Sequence, residues 1–197
     1  MKDFNLESVT DYELGYLLGV YKGDGSATAG SHYMWRVNAG FDKEMVDRIS
    51  GILGKLGIKH REYNDGRYWR LYVTAWSPSE RLAKWLDEAY QNFHLASRDE
   101  KIGFLAGYYD SEGHLRKRPH YNCPNSIQHQ IEISDTQLDE LELVSNILTE
   151  LDVQHSLKPK KVKENRLPAW RVIVTSRPRI TRLLSILNPA IPRKASI

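Results

Sequence analysis

Asp24 and Glu112 are the residues from which chemistry can be read first. Each follows a row of small residues spaced four apart: Gly15, Gly19 and Gly23 before the first, Gly103, Gly107 and Ser111 before the second. On a helix that spacing gathers each row on one face, where missing side chains let two backbones approach. Glycine in a helix interior costs about 1 kcal/mol against alanine, and a close helix–helix contact explains such a cost. If the rows face each other, each carboxylate ends its helix beside its counterpart. The partial negative charge of a helix C-terminus and the second carboxylate both oppose that placement. A divalent cation relieves both. Carboxylate oxygens completed by water and phosphate suit Mg²⁺, with Mn²⁺ as a substitute. Such a pair points to phosphodiester cleavage, in which metal activates water and steadies the leaving oxygen. A solvated acid at a helix end is the plain alternative for either residue alone, and the matched position of the two argues against it.

The elements that must position these acids occur twice. Asp11–Gly25 aligns with Asp99–Gly113, Ile52–His60 with Ile147–His155, and Trp69–Thr74 with Trp170–Thr175. The blocks keep their order while the offset grows from 88 to 95 to 101 residues, so the second copy has gained length in its loops. This is an internal duplication, with repeats expected at 1–95 and 96–197. In each copy an Asp (Asp11 or Asp99) is expected to cap a helix that stops at a Gly (Gly25 or Gly113). Two strands should follow, then an amphipathic helix (Lys43–Leu56, Leu138–Leu151), two more strands and a final helix (Ser79–Tyr90, Arg179–Leu187). Alternation supports the strands. Trp69, Leu71, Val73 and Ala75 share one face of their segment, and Tyr68, Arg70, Tyr72 and Thr74 the other. Ile131 and Ile133 alternate with Gln128, Gln130, Glu132 and Ser134; Trp170, Val172 and Val174 oppose Arg171, Ile173 and Thr175. One face of each sheet can pack on helices while the other is polar, basic and aromatic.

Composition narrows the field. The 197 residues suit one large domain or two small ones, and 41% hydrophobic with 27% charged residues is ordinary for a globular chain. Net charge is only +3, so its distribution carries more than its total. Lys158–Arg182 holds nine basic residues against Glu164 alone, whereas Asp135–Asp152 holds six acids and no base. Segregation of this kind is expected where one face meets phosphates and another meets water. The single cysteine, Cys123, rules out an internal disulfide and points to a reducing, cytoplasmic setting. His120 and Cys123 form an isolated pair, a poor zinc signal. No apolar stretch is long enough to cross a membrane, and the start Met1-Lys2-Asp3-Phe4 lacks a signal-peptide core.

Leu17-Leu-Gly-Val-Tyr-Lys-Gly-Asp-Gly25 and Leu105-Ala-Gly-Tyr-Tyr-Asp-Ser-Glu-Gly113 resemble the two signature motifs of single-chain LAGLIDADG homing endonucleases, most of all the archaeal intron-encoded type. The resemblance implies an α+β fold. Two pseudo-symmetric αββαββα repeats would form a saddle of two antiparallel four-stranded sheets, packed through two central motif helices. It implies metal-dependent hydrolysis of both strands of duplex DNA at a long target site, leaving 3′ overhangs, by a monomer. Asp24 and Glu112 would be the catalytic metal ligands, with Gly23 and Ser111 counted in the metal site. Family members place a Gln or Lys near the second helix to order water; the match here is loose, with Lys43 a candidate in the first copy and Arg116 or Lys117 in the second. The sixth motif position, often acidic, is Lys22 in the first copy and Asp110 in the second.

On that reading the polar strand faces meet the major groove. Arg36, Asn38, Arg70, Tyr72, Gln128, Gln130 and Arg171 have the chemistry for base edges, since Arg reads guanine and Asn or Gln reads adenine. The loop Arg116-Lys117-Arg118-Pro119-His120 and the run Lys158-Pro159-Lys160-Lys161 suit phosphate contacts. His60 and His155 are equivalent across the duplication, and shared packing or capping explains them more simply than catalysis. Two rivals remain: an intron-RNA maturase or non-cleaving DNA-binding protein on the same scaffold, and an interaction module joined by glycine-rich helices.

Overall fold

The computed structural model describes residues 4–28, 34–73, 75–120, 123–161, 164, 167–195 and 197, the side chains of 120 and 123–126 excepted. The fold is α+β. Its elements run α1 (Asp11–Asp24), β1 (Gly25–Thr28), β2 (Met34–Gly40), α2 (Lys43–Lys55), β3 (Arg61–Asn64), β4 (Trp69–Val73) and α3 (Trp76–Gln91). The series then repeats: α4 (Arg98–Glu112), β5 (Gly113–His120), β6 (Cys123–Asp135), α5 (Leu138–Glu150), β7 (Ser156–Lys160), β8 (Ala169–Thr175), α6 (Arg177–Leu187), with a short α7 (Pro192–Ala195) added. The two antiparallel sheets have the same order, β1-β2-β4-β3 and β5-β6-β8-β7, so the duplication read from sequence is a duplication of topology.

Each sheet buries one face. Trp35, Val37, Leu71 and Val73 are sealed in the first, and Ile131, Ile133, Val172 and Val174 in the second. Helices cover them with apolar stripes at helical spacing: Met45, Val46, Ile49, Ile52 and Leu53 on α2; Leu141, Val144, Ile147 and Leu148 on α5. Contacts divide the chain into two compact units, Met1–Ser111 and Glu112–Ile197. By packing, nearly all of α4 belongs with the first unit, although by sequence it opens the second repeat.

Several local expectations need correction. Thr10, not Asp11, caps α1: its hydroxyl accepts from the Glu13 amide, and the Glu13 carboxylate accepts from the Thr10 amide. Ser97, not Asp99, takes that role for α4, accepting from the Glu100 amide at 3.2 Å. The hydroxyl of Ser97 also donates to Asp11 at 2.7 Å. Gly25 does end α1, but in extended backbone (φ −84°, ψ 156°) rather than in a left-handed cap. What requires glycine there is space, since a Cβ would stand 2.4 Å from the Tyr21 carbonyl oxygen. Finally, residues 116–120 are part of a strand, not a loop, and the run 158–160 is strand as well. Pro119 and Pro159 sit on β5 and β7, the two edges of their sheet, where proline is tolerated within a strand.

Candidate metal centre and polar sheet faces

The two rows of small residues meet. A Cβ on Gly15 would lie 1.9 Å from the Glu100 carbonyl oxygen, and one on Gly19 2.1 Å from that of Phe104. Reciprocally, a Cβ on Gly103 would lie 2.0 Å from the carbonyl oxygen of Tyr12, and one on Gly107 2.2 Å from that of Tyr16. Contacts advance together along both chains, so α1 and α4 run in the same direction. Gly23 and Ser111 therefore approach the same end of the pair, and the Ser111 hydroxyl donates back to the Gly107 carbonyl at 3.2 Å. Asp24 and Glu112 are the last residues of their helices and both are half-buried. Carboxylate oxygen is the donor type that a hard divalent cation takes. Among the described residues no three His, Cys, Asp or Glu side chains gather as a metal cluster.

The sixth motif positions behave differently from each other. Lys22 places its ammonium over the Tyr90 ring, 3.9 Å from the centroid. Asp110 is only 2% exposed and accepts the Tyr16 phenolic hydrogen at 2.8 Å. Burial and that carboxylate together push the Tyr16 hydroxyl well above its usual value, so it stays a donor. Arg48 packs over the Tyr16 ring at 4.9 Å and donates to the Tyr12 hydroxyl at 3.3 Å. Lys43 opens α2, where it pairs with Asp47 and, at 2.9 Å, with Glu62, while lying 4.9 Å from the centre of the Trp69 ring. The hydrogen bonds it donates to those two acids raise its pKa, so it is a held cation.

Register sorts the candidate contacts by face. On the first sheet Arg36 pairs across strands with Tyr72, and Asn38 with Arg70. All four therefore share the face opposite Trp35 and Leu71, joined there by Ser26, Arg61 and Tyr63, which sequence reasoning missed. Arg36 donates to the Ser26 hydroxyl at 2.8 Å, and Arg70 pairs with Asp65 at 3.3 Å. On the second sheet Arg116 pairs with Gln130, Arg118 with Gln128, and Arg171 with Lys158. Alternation puts Lys160 on that face as well, and leaves Lys161, exposed, just past the end of β7. Lys117 falls on the other face with Leu115, opposite His129. The sequence motif 116–118 thus divides between two faces. Lys163 and Arg166, and the side chains of His120 and Cys123, lie outside the described residues.

The two histidines are structural. His60 Nδ1 donates to the Ile58 carbonyl (3.0 Å), leaving Nε2 to accept from Ser50 (2.6 Å). His155 repeats this with Val153 (2.8 Å) and Ser145 (2.6 Å). Sequence also missed a substitution across the duplication. Ser26 pairs with Arg36 just as His114 pairs with Glu132, so the position of Arg36 in the first repeat is taken by an acid in the second.

Residues 99–188 match the family model of a LAGLIDADG-like domain. The chain has the LAGLIDADG fold. A solved structure of the homing endonuclease I-DmoI in complex with DNA and Ca superimposes with a TM-score of 0.69 at 18% identity, covering 94% of this chain and 96% of that one. The N-terminal LAGLIDADG domain of WhiA gives 0.60 at 15% identity, covering 93% and 84%. By sequence, the DNA-directed RNA polymerase subunit Rpo1C of Methanocaldococcus jannaschii is 26% identical over 118 residues, 53% of this chain. This chain spans only 13% of that relative's length. Among the described residues no helix is long and apolar enough to cross a membrane.

Proposed function

We propose that this chain is a homing-type DNA endonuclease that hydrolyses both strands of a long duplex site, acting as a monomer built from the repeats 1–95 and 96–197. One observation carries the reading. Glycine-mediated contact holds α1 and α4 in the same direction, and a carboxylate ends each helix. Asp24 and Glu112 would hold a divalent cation, Mg²⁺ for preference, with Gly23 and Ser111 forming the backbone beside it. Bound there, such a cation supplies activated water and charge for the leaving oxygen.

The polar sheet faces would do the binding. Arg36, Asn38, Arg70, Tyr72, Gln128, Gln130 and Arg171 would meet base edges. Arg116, Arg118, Lys158, Lys160 and Lys161 would neutralise phosphates. Lys43 and Lys117 are the proposed basic residues near the chemistry, and Lys117's position on the Leu115 side of β5 makes it the weaker of the two. Cleavage leaving 3′ overhangs completes the proposal, and intron RNA is the alternative partner.

The test is incubation with plasmids carrying candidate insertion sites and Mg²⁺, with EDTA as the control. Asp24→Asn and Glu112→Gln should each abolish double-strand cleavage while leaving DNA affinity within a few-fold. Binding should fall steeply with salt. Full cleavage by either variant removes that residue from the mechanism. Binding without any cleavage by the unaltered chain would instead favour a non-cleaving protein on this scaffold.

A further inference from the structure

Glu132 is charged, completely buried and unused by the mechanism above. Its side chain has 0% exposure, yet it lies on the polar face of the second sheet. Arg116 Nη2 reaches Oε1 at 2.9 Å, Lys160 Nζ the same oxygen at 3.4 Å, and Arg171 Nη1 reaches Oε2 at 3.5 Å. Gln130 donates to Oε2 at 3.2 Å and Ser134 to Oε1 at 3.1 Å, while Lys160 also donates to Ser134 at 3.0 Å. Five side chains from four strands converge on one carboxylate. The three cations remain about a third exposed, at 29%, 33% and 31%.

A sealed carboxylate cannot itself accept from a cytosine amino group. Its neighbours can still act, because each keeps part of its surface in solvent. Long basic side chains on an open sheet would otherwise sample many rotamers, and fixing them in advance lowers the cost of meeting a partner. One buried acid among three bases also leaves the patch positive, which keeps it attractive to phosphate. Burial on its own would raise the Glu132 carboxyl, but Arg116, Ser134 and Lys160 outweigh it and hold the group below the ordinary glutamate value.

We propose that Glu132 is a positioning residue for sequence readout: it sets the arrangement in which Gln130 and Arg171 meet the bases, and Arg116 and Lys160 the flanking phosphates, of one half of the target. This deepens the DNA-binding reading and rests on it. The second repeat places its readout groups around a fixed anion, whereas the first has Arg36 at the equivalent position.

The experiment is selection from a pool of randomised DNA duplexes by the full chain, with affinity for a non-specific duplex measured alongside. The unaltered chain should enrich a defined sequence. Glu132→Gln keeps the shape and removes the charge. It should lower the enrichment at the positions read by the second repeat by at least about tenfold, while non-specific affinity stays equal or rises. Arg171→Lys keeps the charge and loses the planar fork, so it should weaken the same positions in a chain that still folds. Wild-type preference in both variants, or in Arg171→Lys should Glu132→Gln fail to fold, overturns the proposal. A purely structural role would lower melting temperature and all affinities together, with the preference intact. Absence of any preference in the unaltered chain would sink the DNA reading itself, a distinct outcome.

Discussion

Gly19 and Phe104 are in backbone contact: a methyl group on the Gly19 Cα would stand 2.1 Å from the Phe104 carbonyl oxygen. That oxygen belongs to a helix and cannot swing aside, so Gly19→Ala must push α1 from α4. The helix-propensity gain of about 1 kcal/mol is outweighed, and a net loss of about 1–3 kcal/mol is expected from overpacking. Gly51, also inside a helix, meets nothing within 4 Å. Gly51→Ala should therefore stabilise by up to about 1 kcal/mol. Urea denaturation of the two variants gives opposite signs if the packing is as described, and equal signs would contradict it.

Asp152 stands where the first repeat has Gly57, and both adopt positive φ, +55° and +74°. Each follows a helix whose last turn needs that backbone, and Asp tolerates it less well than Gly. The Asp152 carboxylate is 94% exposed and only 3.5 Å from Arg182, so little is lost with it. Asp152→Gly should raise stability by about 0.5–1 kcal/mol after the added unfolded-state freedom is counted. A thermal melt with no upward shift would count against a strained backbone there.

Acid should loosen the second unit in two stages. His114 is held below its usual value, by burial first and then by Lys194, Arg116 and Lys160, with Glu132 opposing. Glu132 is held below its own. In both cases the unfolded chain binds the proton more readily, so stability rises with pH across the shift. The His114 contribution is present above roughly pH 6.5 and is lost as pH falls from there; the Glu132 contribution is lost below roughly pH 4.3. Urea midpoints followed from about pH 7 to pH 3 should fall in these two windows. His114→Gln should flatten the upper one and Glu132→Gln the lower, and an unchanged profile in both would remove the linkage.

Tyr16 donates to a carboxylate with almost no access to water. Tyr16→Phe removes that donor without changing shape, so about 1–3 kcal/mol of stability should go with it. Tyr12→Phe, whose hydroxyl accepts from Arg48 at 3.3 Å, should cost less. A double-mutant cycle with Asp110→Asn measures the coupling, and additive effects would show the bond to be worth nothing.

Periodicity made most of this architecture legible. Glycines four apart located α1 and α4 and their contact, because only a lack of side chains explains them. Alternation in 69–73 and 128–134 separated buried from polar faces, because the strand period is two. Other features depend on geometry that types alone do not encode. Asp11 and Asp99 looked like caps, yet Thr10 lies where the backbone is still extended, and it is Ser97 that accepts from the Glu100 amide. Residues 116–120 looked like a loop because they are basic and contain a proline, and only the edge position of β5 makes that strand possible. Glu132 was legible only as a polar-face residue, since alternation identifies a face without revealing what covers it. The pairing of Ser50 with His60 and Ser145 with His155 was visible only as a shared spacing.

The exchange of Arg36 for Glu132 at matching places in the two sheets makes the molecule's halves unlike where they would touch a duplex. A palindrome would offer both halves the same letters, and one half would be wrongly equipped to read them. Under the proposed function, then, the preferred site is lopsided: joining two copies into one chain released each from its twin's vocabulary.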